Sequence, residues 1–249
     1  MSCISNRYKV ILEYIGAGYC GWQRQENQLS LQQVVEEAIY AFSKEHAATV
    51  VAGRTDAGVN AYGQVIHFDL VQNILPDKLM HSINHFCRNH TVGAVYAESV
   101  SNDFHARFSA KSRHYVYKIL NRKSINIIKD GVVHWVRHDL NVKNMQSAAN
   151  YLLGNHDFSS FRAGACQSKS PIKTIDKIEI IKNDDNIEIY ISARSFLHHM
   201  VRNIVGSLIM VGKGDWQIER MKLALLAKDR RAGGPIAPAQ GLYFLKVDY

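Results

Sequence analysis

A chain of 249 residues, 47% hydrophobic and 21% charged, is long enough for one large or two small packed domains and has the balance of a folded globular protein. Thirty Lys and Arg against 22 Asp and Glu give a net charge of +8, an excess that favours a polyanionic partner because cationic surfaces release counterions from phosphates. Four scattered cysteines, Cys3, Cys20, Cys87 and Cys166, contain no C-x-x-C pair, which argues against a zinc site or disulfide framework. With no leader pattern and no apolar run approaching about 18 residues, the expectation is a soluble cytoplasmic protein with no membrane segment.

Arg7 to Ile15 is dense in β-branched and aromatic residues and predicts a first strand. Gly16 to Gln25 follows with three glycines, two aromatics, an arginine and two glutamines, which suits a nucleic-acid surface or equally a packed structural loop. Ser30-x-x-Gln33 is a capping-box pattern, and Leu31, Val34, Val35, Ala38, Ile39 and Phe42 form the apolar stripe of a scaffold helix. The apolar run Thr49 to Ala52 stops at Gly53, and the next residues read GRTDAGVN. That turn places one carboxylate, Asp56, between two glycines at the end of a strand, where a side chain is held at a defined angle. Arg54, two residues earlier, is a cation able to reach phosphate, although Asp-Ala-Gly is also ordinary turn chemistry. Gln64 to Leu70 predicts a strand with Ile66, Phe68 and Leu70 on one face, Pro76 opens a helix to about Cys87, and Thr91 to Val100 returns as a strand. The order β-α-β-β-α-β is that of ferredoxin-like and RNA-recognition folds.

The second half follows without a proline- or serine-rich linker. Ser112 to Leu120 and Gly131 to Arg137 predict strands, and Asn141 caps a helix that Gly154 is placed to stop. Ile172 to Lys182 and Ile187 to Arg194 form a hairpin across Asn-Asp-Asp-Asn, Leu197 to Val211 is helical, Asp215 caps a further helix to about Ala227, and Leu242 to Val247 closes with a strand. The expected fold class is α+β, in two halves spanning residues 1–105 and 106–249 with mainly antiparallel sheets.

Three stretches beyond the Asp56 turn invite chemistry. On the Leu197 helix, Leu197, Met200, Val201, Ile204, Val205 and Leu208 take one side and His198, His199, Arg202, Asn203, Gly206 and Ser207 the other. A guanidinium on so apolar a helix needs an anion, either Asp56 or a structural carboxylate. Adjacent helical residues point about 100° apart, so His198-His199 makes no metal site by itself. Phe104-His105-Ala106-Arg107-Phe108 and Arg113-His114-Tyr115-Val116-Tyr117 interleave cations with rings, the hardware of base stacking; Tyr115 and Tyr117 share a strand face, and Tyr117 is the one expected in the core. Gly154 to Arg162 reads as a polar loop that holds ligand or hydrogen-bonds itself into shape. No phosphate loop, G-x-S-x-G elbow or H-E-x-x-H helix is present. One carboxylate, one candidate arginine partner, one stacking tyrosine and a basic surface fit cofactor-free chemistry on a nucleotide held in RNA.

GRTDAGVNAYGQVIHF, FHARFSAKSRHYVYKI, LLGNHDFSSFR, SFLHHMVRNIVGSLIMVG and APAQGLYF resemble, in this order, the motifs of the tRNA pseudouridine synthase A family. The resemblance runs from Gly16 to the C-terminus. It implies the pseudouridine synthase fold, two RRM/ferredoxin-like halves with a central RNA-binding cleft, and a homodimer acting on tRNA uridines on the 3′ side of the anticodon stem-loop, with no cofactor and no metal. Asp56 matches the family's catalytic aspartate, Tyr115 the tyrosine that stacks on the target base, Arg202 the arginine that pairs with the aspartate, and Arg54 the arginine implicated in displacing that base. The family usually has His where this chain has Asn60, a departure expected to alter nearby RNA contacts more than the chemistry. Asn84 to Arg88 matches weakly, in a stretch where the family tends to have a proline after leucine. Rival readings are a pseudouridine synthase with another RNA target, a non-catalytic RNA-binding module, which would not require a carboxylate–arginine pair, and a nucleotide hydrolase, which the missing phosphate loop disfavours.

Overall fold

The computed structural model describes residues 5–164, 166 and 168–249. It divides into two compact units, Met1–Lys111 together with Phe244–Tyr249, and Ser112–Tyr243.

In the first unit β1 (Asn6–Tyr14) alternates as its sequence requires, burying Tyr8, Val10, Leu12 and Tyr14. The Ser30 hydroxyl accepts from the Gln33 N–H at 3.2 Å and starts α1 (Leu31–Ser43), which buries Leu31, Val34, Val35, Ala38 and Ile39 and ends where Lys44 turns left-handed. The short β2 (Val50–Val51) pairs with β3 (Asn60–Leu70), Val50 opposite His67. α2 (Pro76–Phe86), with proline in its first turn, buries Leu79 and Ile83, and β4 (Val92–Val100) follows. β1 lies antiparallel between β3 and β4, with Tyr8 opposite Phe68 and Ser99. Strands β4, β1 and β3 are neighbours in that order, and β2 pairs with β3 off the main strand path, the pairing of a ferredoxin-like unit. β3 departs from the sequence expectation: it begins at Asn60, and Gln64, Val65 and His67 are buried along with Ile66, Phe68 and Leu70. It is a central strand covered on both faces, which erases the polar/apolar alternation of a half-exposed one.

In the second unit β5 (Ser112–Asn121) pairs antiparallel with β9 (Asn186–Ala193), which pairs with β8 (Ile172–Asn183). The hairpin turns through Asp184 at φ 51°. β6 (His134–Val136) runs parallel to β5 and is shorter than expected. The Asn141 side chain caps α3 (Val142–Ala149). The stretch expected as a loop from Gly154 starts instead with β7 (Gly154–Asp157), an edge strand on β8.

The two later helices begin further along than their sequence suggests. α4 (Met200–Lys213) starts at Met200 because His199 is left-handed, φ 62°, and breaks the helical run from Leu197. α5 (Glu219–Ala227) is not capped by Asp215. The preceding residues close α4: Gly214 takes the left-handed cap and Trp216 N–H returns to the Met210 carbonyl at 3.2 Å. The chain ends in β10 (Leu242–Asp248).

Cys20, Cys87 and Cys166 are free thiols, and Cys3 lies outside the described residues. Among the described residues no helix is long and apolar enough to cross a membrane.

Candidate active site

The Asp56 turn is held from both sides by residues of its own unit. Ala52 N–H donates to the Val65 carbonyl at 2.8 Å, carrying the β2–β3 ladder to the edge of the turn, and the Gly53 carbonyl accepts from the Gln64 side-chain amide at 2.8 Å. Thr55 is buried, its hydroxyl 2.8 Å from the Tyr14 hydroxyl and its carbonyl accepting from Trp22 N–H at 3.0 Å. Val59 N–H closes onto the Asp56 carbonyl at 3.1 Å, with Gly58 at φ 76° supplying the left-handed position. Asp56 forms an isolated antiparallel bridge with Gly21 and is half-buried, while Arg54 is exposed.

Of the two readings of residues 16–25, the packed structural one holds for the glycine-rich part. Tyr19 and Trp22 are buried, and the backbones touch: a Cβ on Gly21 would stand 2.7 Å from the Thr55 carbonyl oxygen, and one on Gly16 2.2 Å from that of Val59. These glycines are there for close approach. Asn60 completes the brace. It is fully buried, and its Oδ1 accepts from Gly16 N–H at 2.8 Å. With no exposed surface, the Asn60 side chain ties loop to turn, so position 60 bears on RNA contacts through the loop it holds.

Beneath the turn lies a buried polar triad that sequence reasoning missed. The Gln64 amide donates to the Tyr14 oxygen at 3.3 Å as well as to Gly53, and the Tyr14 and Thr55 hydroxyls share a hydrogen bond at 2.8 Å. Burial pushes the Tyr14 hydroxyl up to about 12, with the Thr55 and Gln64 hydrogen bonds opposing it, so the phenol stays neutral. Asp56 thus sits one residue from a hydroxyl fixed in the core. The only sequence trace is a threonine beside the aspartate and a glutamine inside an apolar strand.

In the second unit Tyr115 lies on β5 opposite Ile191, is 8% exposed, and meets Phe196 edge to face at 5.1 Å. Tyr117 is fully buried, as expected of a core residue, and donates its hydroxyl to the Pro238 carbonyl at 2.8 Å. Arg113, also buried, donates to the Arg194 carbonyl.

Arg202 stands in the first turn of α4, half-buried; its Nε donates to the Ala237 carbonyl at 2.8 Å, and Ala237 N–H returns to the Arg202 carbonyl at 3.1 Å. The polar arc of this helix is a socket for residues 229–238. Asn203 donates to the Phe161 carbonyl and accepts from Arg230, Ser207 accepts from Gly234 N–H, and a Cβ on Gly206 would fall 1.7 Å from the Pro235 oxygen. His198 and His199 precede the helix, and their ring centroids lie 3.9 Å apart, closer than helical neighbours would be.

Comparison with known proteins places the chain among the pseudouridine synthases: the family model described as tRNA pseudouridine synthase matches residues 148–249. Two proteins named tRNA pseudouridine synthase A, from Ehrlichia chaffeensis and Ehrlichia canis, are 50% and 51% identical to it over 244 residues, covering 98% of this chain and 100% of each relative. The chain belongs to the tRNA pseudouridine synthase A family. A solved structure described as a Cbf5-Nop10-Gar1 complex aligns with 96% of this chain and 49% of its own at 10% identity and a TM-score of 0.38, a likeness too slight to bear on the argument.

Proposed function

We propose that this protein isomerises uridine to pseudouridine in tRNA, on the 3′ side of the anticodon stem-loop, with Asp56 as its catalytic carboxylate. The observation that carries the reading is the Asp56 turn itself, locked by Tyr14, Gly16, Gly21, Asn60 and Gln64 in a chain half identical to two tRNA pseudouridine synthases A. The reaction balances within the substrate. The C1′–N1 bond breaks, the uracil turns, C5 joins C1′, the C5 proton leaves and N1 takes one up. Asp56 attacks C1′, attacks C6 or removes a sugar proton, and each role needs a carboxylate fixed relative to the bound nucleotide.

The target base leaves its stack at a cost of about a few kcal/mol. Tyr115 stacks on the extruded ring, Arg54 enters the vacated space, and Arg202 pairs with the carboxylate; the first two offset the cost of flipping. Arg202 is suited to its part because Ala237 already fixes its Nε and orients the guanidinium plane. The protein works in the cytoplasm as a homodimer, and sedimentation at about twice the chain mass of 28.2 kDa tests the assembly.

Chemical mapping of pseudouridine in a tRNA transcript incubated with the purified protein tests the function. New pseudouridine confined to the anticodon stem-loop is the expected result. Modification elsewhere would overturn the target, and no modification at any uridine would overturn the activity.

A further inference from the structure

Phe104-His105-Ala106-Arg107-Phe108 plays no part in the assignments above, yet it builds a definite surface feature. The Phe108 ring is 73% exposed. It leans on the His105 ring, centroids 4.4 Å apart with 32° between planes, and the Arg107 guanidinium lies 5.6 Å from its centroid. The turn that holds it is fixed. His105 Nδ1 accepts from the N–H groups of both Arg107 and Phe108 at 3.2 Å, Ser109 N–H returns to the His105 carbonyl at 2.9 Å, and the Ser109 hydroxyl accepts from His105 N–H at 3.0 Å. Buried Ala106 anchors the turn through its N–H on His67 Nδ1 at 3.1 Å.

We propose that Phe108 is a stacking platform for an unpaired nucleobase of the RNA substrate, with Arg107 beside it for the adjoining phosphate. The proposal rests on the tRNA reading above and adds a contact outside the Asp56 turn. A single exposed ring next to a cation, on a protein of net charge +8, matches a base and its phosphate. It matches an apolar protein partner poorly, since the cores of such interfaces are depleted in charge. Because the turn already orders the ring, little freedom is lost on binding.

Equilibrium binding of unmodified tRNA, which needs no turnover, is the test. Phe108→Ala weakens binding roughly 5- to 150-fold, the span of a lost base–aromatic stack. Phe108→Leu, which keeps apolar bulk without a π face, weakens it similarly, whereas Phe108→Trp retains it. Binding to a blunt, fully paired RNA duplex is indifferent to all three changes. Arg107→Ala lowers the slope of log Kd against log salt by about one, and Phe108→Ala leaves the slope alone. Phe108→Ala binding within twofold of the unaltered protein overturns the platform, as does full binding by Phe108→Leu or an equal loss on duplex. If the unaltered protein binds tRNA but forms no pseudouridine, the function above fails while this comparison stays readable; if it binds no tRNA, both fall.

Discussion

The hydroxyls of Tyr14 and Thr55, the residue before Asp56, lie 2.8 Å apart inside the first unit. Each oxygen is buried, so each depends on the other, and Gln64 completes the set. Tyr14→Phe removes the shared partner and leaves a buried Thr55 hydroxyl short of a hydrogen bond, at a cost of about 1–3 kcal/mol. Turnover falls as well, because the turn bearing the carboxylate loosens. A double-mutant cycle of Tyr14→Phe with Thr55→Val measures the coupling, expected at about 0.5–3 kcal/mol. Additive losses would mean the two hydroxyls do not act as a pair.

The contact between Gly21 and the turn gives a sharper probe. Gly21→Ala combines φ 108° with a Cβ 2.7 Å from the Thr55 oxygen, both of them backbone constraints, so turn or loop must move. A displacement near 1 Å at a reacting group costs on the order of a hundredfold in rate. Gly18→Ala is the control: at φ 86° it carries backbone strain, but its Cβ meets nothing within 4 Å. Turnover measured beside thermal stability separates them. Gly21→Ala loses activity far beyond Gly18→Ala, and equal losses would show that strain alone, not contact with the Asp56 turn, is at work.

Much of the architecture was legible because local chemistry dictated it: the Ser30 and Asn141 caps, the proline opening α2 and the β8–β9 hairpin all stand where side-chain patterns put them. The errors share one cause, which is that tertiary contacts overrode a local signal. His199 adopts a left-handed backbone no pattern announces, β7 forms because β8 offers an edge, and β3 loses its alternation by being central. At the site, Asp56 was visible because glycines flank it. Its supports were not, since Tyr14 meets Thr55 across 41 residues of sequence and Gln64 meets Tyr14 across 50, as in any sheet-built site.

Asn60 offers a test of acceptor chemistry. Its Oδ1 accepts from Gly16 N–H, and an imidazole Nδ1 can offer an acceptor at nearly the same place. Asn60→His therefore stays close to unaltered stability, while Asn60→Leu strands the Gly16 N–H and costs about 1–3 kcal/mol. Chemical denaturation of the two variants checks the order. Equal destabilisation would mean that volume, not the hydrogen bond, governs this position.

Two histidines make stability depend on pH. Burial, then the charges of Arg7 and His105, lowers His67 to about 4, and burial followed by Lys213 lowers His134 to about 4. Both are neutral in the folded protein below the ordinary value of 6.5, so the unfolded chain binds more protons between about 6.5 and 4. Their contribution is complete above 6.5 and is lost as pH falls through that window, at up to about 1.4 kcal/mol per pH unit for each histidine. His67→Gln, which keeps an acceptor for Ala106 N–H, flattens the dependence of the urea midpoint between pH 6.5 and 5. An unchanged slope would contradict the assignment of His67 as a neutral acceptor.

Asp56 itself is the central claim, and tritium release from tRNA labelled at uridine C5 reads it most directly. Asp56→Asn keeps the shape of the side chain and the backbone bridge to Gly21 while removing the carboxylate charge. The variant is expected to bind tRNA with an affinity close to that of the unaltered protein and to release no tritium above background over many turnover times. Tritium release by Asp56→Asn at a rate within tenfold of the unaltered protein would show that the carboxylate in the glycine-bounded turn is not the catalytic group.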